Sequence, residues 1–119
     1  MTVDSMVLVI APNRGFRKSL EFALEAEGYV VDSQADLAGA VASPRNSSVR
    51  CVVVDEDAMP NWPIARNDLV RFPGPVILLV DRPCPPPQPD GVTILVKPLL
   101  GNALIKAVDQ VIAKGSSAH

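Results

Sequence analysis

Three consecutive acids, Asp55-Glu56-Asp57, close the apolar run Cys51-Val52-Val53-Val54. Two more charges stand in equivalent places: Asp81 directly after Val76-Ile77-Leu78-Leu79-Val80, and Lys97 directly after Val92-Thr93-Ile94-Leu95-Val96. Each run has the length and composition of a strand buried on both faces, as in a parallel sheet. A charge at the end of such a run lies at the carboxyl edge of the sheet, where open α/β folds place their chemistry. A carboxylate there can accept a group or pair with a cation. A lysine about 4 Å away gains roughly 1 kcal/mol in water and about 4 kcal/mol at an effective dielectric of 20. Other chemistries lack their residues. Ala11-Pro12-Asn13-Arg14-Gly15, after the first apolar run, does not have the spacing of a phosphate-binding glycine loop. No nucleophile–base pair is apparent, and the single histidine, His119, ends a polar tail, so no enzyme is expected.

The elements that must position these charges follow from periodicity and punctuation. Met6-Val7-Leu8-Val9-Ile10 is a first buried strand, stopped at Ala11-Pro12 because proline cannot donate to a ladder. Asn13 caps a helix over about 14–27, with Phe16, Leu20, Ala23 and Leu24 at helical spacing and Gly28 as its C-terminal cap. Tyr29-Val30-Val31 is a short strand, and 36–42 a short helix with Leu37, Ala40 and Val41 inward. Pro60, Asn61 and Pro63 delay the next helix to about Ile64, and Phe72-Pro73-Gly74 ends it. Between Asp81 and Val92, the prolines at 83, 85, 86, 87 and 89 forbid a helix and favour a stiff, extended segment. A last helix runs over about 99–114, with Leu100, Leu104, Ala107, Val108, Val111 and Ile112 on one side. Five strands alternating with helices predict a doubly wound parallel sheet, since crossovers are right-handed and apolar strands need cover on both faces. The expectation is one domain over 1–119, with its core in 6–114 and a frayed tail at 115–119.

Bulk properties narrow the partners. A net charge of −2 gives no general attraction to nucleic acid or to an anionic membrane. The apolar runs are strand-sized, so no membrane span is expected, nor a signal peptide before the first strand. Cys51 in a strand and Cys84 in a loop make neither a disulfide framework nor a metal site, so a reducing cytoplasm is expected. Arg14, Arg17, Lys18, Arg66 and Arg71 are scattered and read as solvated helix faces, and Trp62 as half-buried over the sheet edge.

Four segments carry a family resemblance: Ala26-Glu27-Gly28-Tyr29-Val30, Val53-Val54-Asp55 followed by Met59-Pro60, Pro75-Val76-Ile77, and Lys97-Pro98-Leu99. In this order the chain resembles the receiver domains of two-component response regulators, over nearly its full length. The resemblance implies flavodoxin-like topology with strand order 2-1-3-4-5. It makes Asp55 the phosphoacceptor and Lys97 its phosphate or salt-bridge partner. It also implies a signalling protein as partner, either a histidine kinase or an output module, and leaves a homodimer open.

The departures from the family lie at the same edge. Where the family has two acids that hold Mg²⁺ with the acceptor, this chain has Ala11 and Pro12, then Asn13. Magnesium needs oxygen donors in near-octahedral geometry, and neither side chain offers one, so no cofactor is expected. Val80 stands where the family has a Thr or Ser, Ile94 where it has an aromatic residue, and the proline-rich segment where it has a fourth helix. Among the remaining edge positions, Glu56, Asp57 and Asp81, a replacement carboxylate for a cation could come from Glu56 or Asp81, although turn chemistry favours Asp81 simply opening a loop. The expected function is an atypical receiver in phosphorelay signalling that works as a protein-interaction module, with Lys97 paired permanently to Asp55. The alternative is a conventional switch phosphorylated on Asp55 by a histidine kinase. A small flavodoxin-like ligand binder is the remote third reading.

Overall fold

The computed structural model describes residues 6–36, 49–58, 75–81, 92–97 and 102–117. Five strands form one sheet: β1 (Met6–Ile10), β2 (Val30–Gln34), β3 (Val49–Asp55), β4 (Val76–Val80) and β5 (Val92–Val96). All neighbours pair parallel, in the order β2-β1-β3-β4-β5. This is the flavodoxin-like arrangement that the apolar runs and the resemblance imply. Helix α1 (Arg14–Ala26) follows β1, and helix α2 (Ala103–Ser117) follows β5.

The inner strands β1, β4 and, from Cys51, β3 are apolar up to their ends because both of their faces are buried, and alternate residues feed two cores. One core holds Leu8, Ile10, Val52, Val54, Leu78 and Val80. The other holds Val7, Val9, Ala11, Cys51, Val53, Ile77 and Leu79, packed under Leu20 and Leu24 of α1 and Leu104, Ala107 and Val108 of α2. Near the start of β3 the register slips by one: Met6 faces Val49 while Val7 faces Cys51, leaving Arg50 exposed. That bulge puts Val49 and Cys51 in different cores, although they are two residues apart.

Element boundaries follow local chemistry where it is strong. Asn13 is extended (φ −74°, ψ 119°), and its side-chain oxygen accepts the Phe16 amide at 2.8 Å, the expected N-cap of α1. The helix stops at Ala26 and the chain leaves through Gly28 at φ 96°, a left-handed conformation that only glycine adopts without strain. β2 runs on through Asp32, Ser33 and Gln34, beyond the three residues expected from hydrophobicity. Pairing with β1 carries it on, since an edge strand needs no continuous apolar run. α2 begins at Ala103 rather than at Leu99. The helices expected over 36–42 and 64–72, Trp62, Cys84 and the proline-rich segment fall outside the described residues. Among the described residues, no helix is long and apolar enough to cross a membrane.

Candidate functional site

Strand parity gathers the singled-out residues. Ala11, Asp55, Asp81 and Lys97 each continue the alternation that sends Val9, Val53, Leu79 and Leu95 to the α1/α2 face. Register then lines them up. Ile10 pairs with Val54, so Ala11 falls beside Asp55, and Val80 pairs with Val96, so Asp81 falls beside Lys97. The Lys97 amide extends the β4–β5 ladder by donating to the Val80 carbonyl at 2.7 Å.

Asp55 is 2% exposed and is the one buried charged or polar side chain among the described residues. Among the described residues its Oδ1 accepts hydrogen bonds from Lys97 Nζ at 3.1 Å and from the Asp57 amide at 3.1 Å. The second bond is made inside the short 3-10 turn Glu56–Ala58 that leaves the strand. A charge so deep is tolerable only when paired and hydrogen-bonded, and both conditions hold here.

Lys97 is the hub of the site. Its ammonium lies 3.1 Å from Asp55 Oδ1 and 3.1 Å from Asp81 Oδ1, although Asp55 is buried and Asp81 is 66% exposed. It also sits 5.2 Å from the ring centroid of Phe16 in the first turns of α1, within cation–π range. Burial lowers the pKa of Lys97, and the hydrogen bonds and charges of Asp55 and Asp81 outweigh it, leaving the pKa above the ordinary lysine value. Asp81 does more than open a loop. Its carboxylate holds Lys97, and its own amide donates to Glu56 Oε2 at 2.6 Å, so the chain after β3 is tied to the chain after β4.

At the end of β1 the donors do not suit a hard divalent cation. Ala11 is buried and without a side-chain oxygen, and Pro12 and Asn13 are exposed, the latter spent on capping α1. The Ala11 and Pro12 carbonyls both accept from the Arg17 guanidinium, at 2.7 and 3.4 Å. Arg17 thus brings a fixed positive charge to the strand end that the family furnishes with acids. Among the described residues, no three His, Cys, Asp or Glu side chains cluster so as to hold a metal. Phe16 packs against the core as its place in the apolar stripe predicts and in addition meets Lys97, whereas Arg17, expected on a solvated helix face, turns back onto the strand end. The available signal was their position in the first turns of a helix that starts three residues after the strand, from which side chains reach back over the edge.

Two other groups are accounted for structurally. Burial pushes the Cys51 thiol up to about 12, so it is a core residue and not a nucleophile. The Tyr29 hydroxyl donates to Asp109 Oδ1, joining the exit of α1 to α2, and burial followed by that bond raises its pKa above the usual tyrosine range.

No protein-family model matches the chain. It is 33% identical over 107 residues to the transcriptional regulator protein FixT of Rhizobium meliloti (strain 1021), covering 89% of this chain and 91% of that protein. Among solved structures, full-length FixJ from B. japonicum superposes with a TM-score of 0.74 at 22% identity, over 98% of this chain and 62% of FixJ. A response regulator receiver domain protein from Bacillus halodurans gives a TM-score of 0.73 at 14% identity, over 90% of this chain and 96% of its own. The chemotaxis protein CheY4 of Vibrio cholerae gives 0.69 at 19% identity, over 91% and 98%. At these identities the structures speak to the fold. With the relative at 33% identity and the sheet order described above, they establish that the chain belongs to the response-regulator receiver domain family.

Proposed function

We propose that this receiver domain signals as a protein-interaction module whose acidic site stays closed by its own lysine, without a cycle of phosphorylation. The observation that carries the reading is the position of Lys97 Nζ, 3.1 Å from both Asp55 and Asp81. Phosphoryl transfer to a carboxylate depends on neutralising the transferred charge, a task that metal ions and lysine share. Here the lysine is engaged by two carboxylates, and Arg17 stands over the strand end where the metal's acids would be. Val80 in place of a hydroxyl residue leaves nothing at that position to hydrogen-bond a phosphoryl group. The domain performs no catalysis in this reading, needs no Mg²⁺, and its partner is another signalling protein, either a histidine kinase or an output module.

The alternative, phosphorylation of Asp55 by a kinase, draws support from the retention of the acceptor and its lysine at hydrogen-bonding distance. Titrating Mg²⁺ and beryllofluoride, a phosphoryl mimic, into the labelled protein separates the two by NMR. The expected result is no saturable shift of the amides of Asp55–Ala58, Val80, Asp81 or Lys97. Saturable binding at sub-millimolar mimic overturns the closed-site reading and establishes the switch.

A further inference from the structure

A second feature lies away from the Asp55 site and does not depend on how that site works. The outward face of α1 is made of Gly15, Lys18, Ser19, Phe22, Glu25 and Ala26, all exposed. Phe22 is 77% exposed, the most exposed large apolar side chain among the described residues. On one flank of it the face is small and nearly apolar, Gly15, Ala26 and Ser19, whose hydroxyl is spent on the Gly15 carbonyl at 3.1 Å inside its own helix.

The charges on this helix are ordered in an unusual way. Arg14, Arg17 and Lys18 fill the N-terminal half, while Glu21 and Glu25 fill the C-terminal half. The first turn has no acid and the last turn no base, the reverse of what a helix dipole favours. Helix stability therefore does not explain the order. Arg17 and Glu21 have partners inside the fold, the strand end and the Ser33 hydroxyl. Lys18 and Glu25 make no ion pair with any described residue.

We infer that α1 is a homodimerisation surface, on which a second copy of this chain packs its own α1 antiparallel across a two-fold axis at Phe22. At about 100° per residue, Lys18 and Glu25 lie about one turn on either side of Phe22 and on the same flank of the face. A two-fold axis perpendicular to the helix pair reverses the helix and keeps the flank. It therefore sets Lys18 of each copy against Glu25 of the other, giving two reciprocal ion pairs around a Phe22–Phe22 contact. The opposite flank, Gly15, Ser19 and Ala26, is small enough to let the backbones approach. Antiparallel packing also aligns the two helix dipoles favourably. A contact through one helix is smaller than a standard interface, so the dimer is weak and forms at high micromolar concentration.

Sedimentation of the full 119-residue chain over a concentration series tests this. Wild type should show a reversible monomer–dimer equilibrium. Phe22→Asp, Lys18→Glu and Glu25→Lys should each weaken it by about tenfold or more, with helical circular dichroism unchanged. The double variant Lys18→Glu/Glu25→Lys should dimerise again, and an equimolar mixture of the two single charge variants should form heterodimers. Wild type that stays monomeric to about 1 mM overturns the proposal, including the case where the face instead binds a different protein. So does a dimer that tolerates Phe22→Asp, or a charge-swapped pair that fails to reassociate.

Discussion

Replacing Lys97 with methionine probes the closed site most directly, because it keeps the stem and removes the charge. In the native fold Asp55 is 2% exposed and, among the described residues, its Oδ1 accepts from the Asp57 amide and from Lys97 Nζ at 3.1 Å. At that distance the Coulomb attraction is about 5 kcal/mol at an effective dielectric of 20. Part of this offsets the cost of drying the two charges. Breaking a fully buried pair by deleting one partner costs about 3–5 kcal/mol. Lys97 is 18% exposed, so some water reaches the pair, and the expected loss is about 2–4 kcal/mol at pH 7. Asp81 binds the same ammonium at the same distance but is 66% exposed, so Asp81→Ala should cost at most about 1 kcal/mol. Urea denaturation followed by circular dichroism measures both, and for Lys97→Met the midpoint should fall by roughly 1–2 M. A double-mutant cycle with Asp55→Asn should give a coupling of at least about 1 kcal/mol. If Lys97→Met costs less than about 0.5 kcal/mol, Asp55 does not depend on the lysine, and the reasoning that closes the site with this ion pair is refuted.

Two further outcomes follow from the same contacts. The folded-state pKa of Lys97 lies above its unfolded value of about 10.4. Its stabilisation is therefore fully present below about pH 10.4 and lost as pH rises through the higher folded value. The stability difference between wild type and Lys97→Met should stay flat from neutral pH to about pH 10 and shrink beyond it; a difference that already falls between pH 7 and 9 contradicts this. Asn13→Ala removes the oxygen that caps the Phe16 amide and should cost about 0.5–2 kcal/mol in thermal or urea unfolding. Asn13→Asp should restore most of that loss, and failure to do so would show that the cap is not the source of the effect.

The chain announces its own edge. The runs ending at Asp55 and Val80 lie inside the sheet, have no solvent face, and stay apolar from Cys51 and Val76 until they meet or pass to a charge, while the half-buried edge strand β5 likewise passes to Lys97. Asn13 and Gly28 bracket α1 for equally local reasons, a free side-chain acceptor and a left-handed backbone position. The ends of β1, β3, β4 and β5 and the bounds of the first helix were legible on those terms, whereas the sheet order was expected only from the family resemblance. The extension of β2 through Asp32-Ser33-Gln34 was not, since edge pairing and not hydrophobicity sustains it.

What only the tertiary structure decided is how the charges are shared. Lys97 and Asp55 are 42 residues apart, and nothing local to either says that Asp81 will hold the same ammonium. Parallel register does this, by aligning Asp81 with Lys97 across β4 and β5 while parity sends both toward α1. The turn of Arg17 onto the Ala11 and Pro12 carbonyls likewise depends on α1 crossing back over the end of β1. Residue types thus determined that a carboxylate and a lysine would each end a strand at the carboxyl edge of the sheet, and the family resemblance added that they would meet there, beside Ala11 and Pro12 in place of acids. Strand alignment and helix placement, which arise from contacts distant in sequence, determined that the two would meet as one closed cluster with Asp81, beneath Phe16.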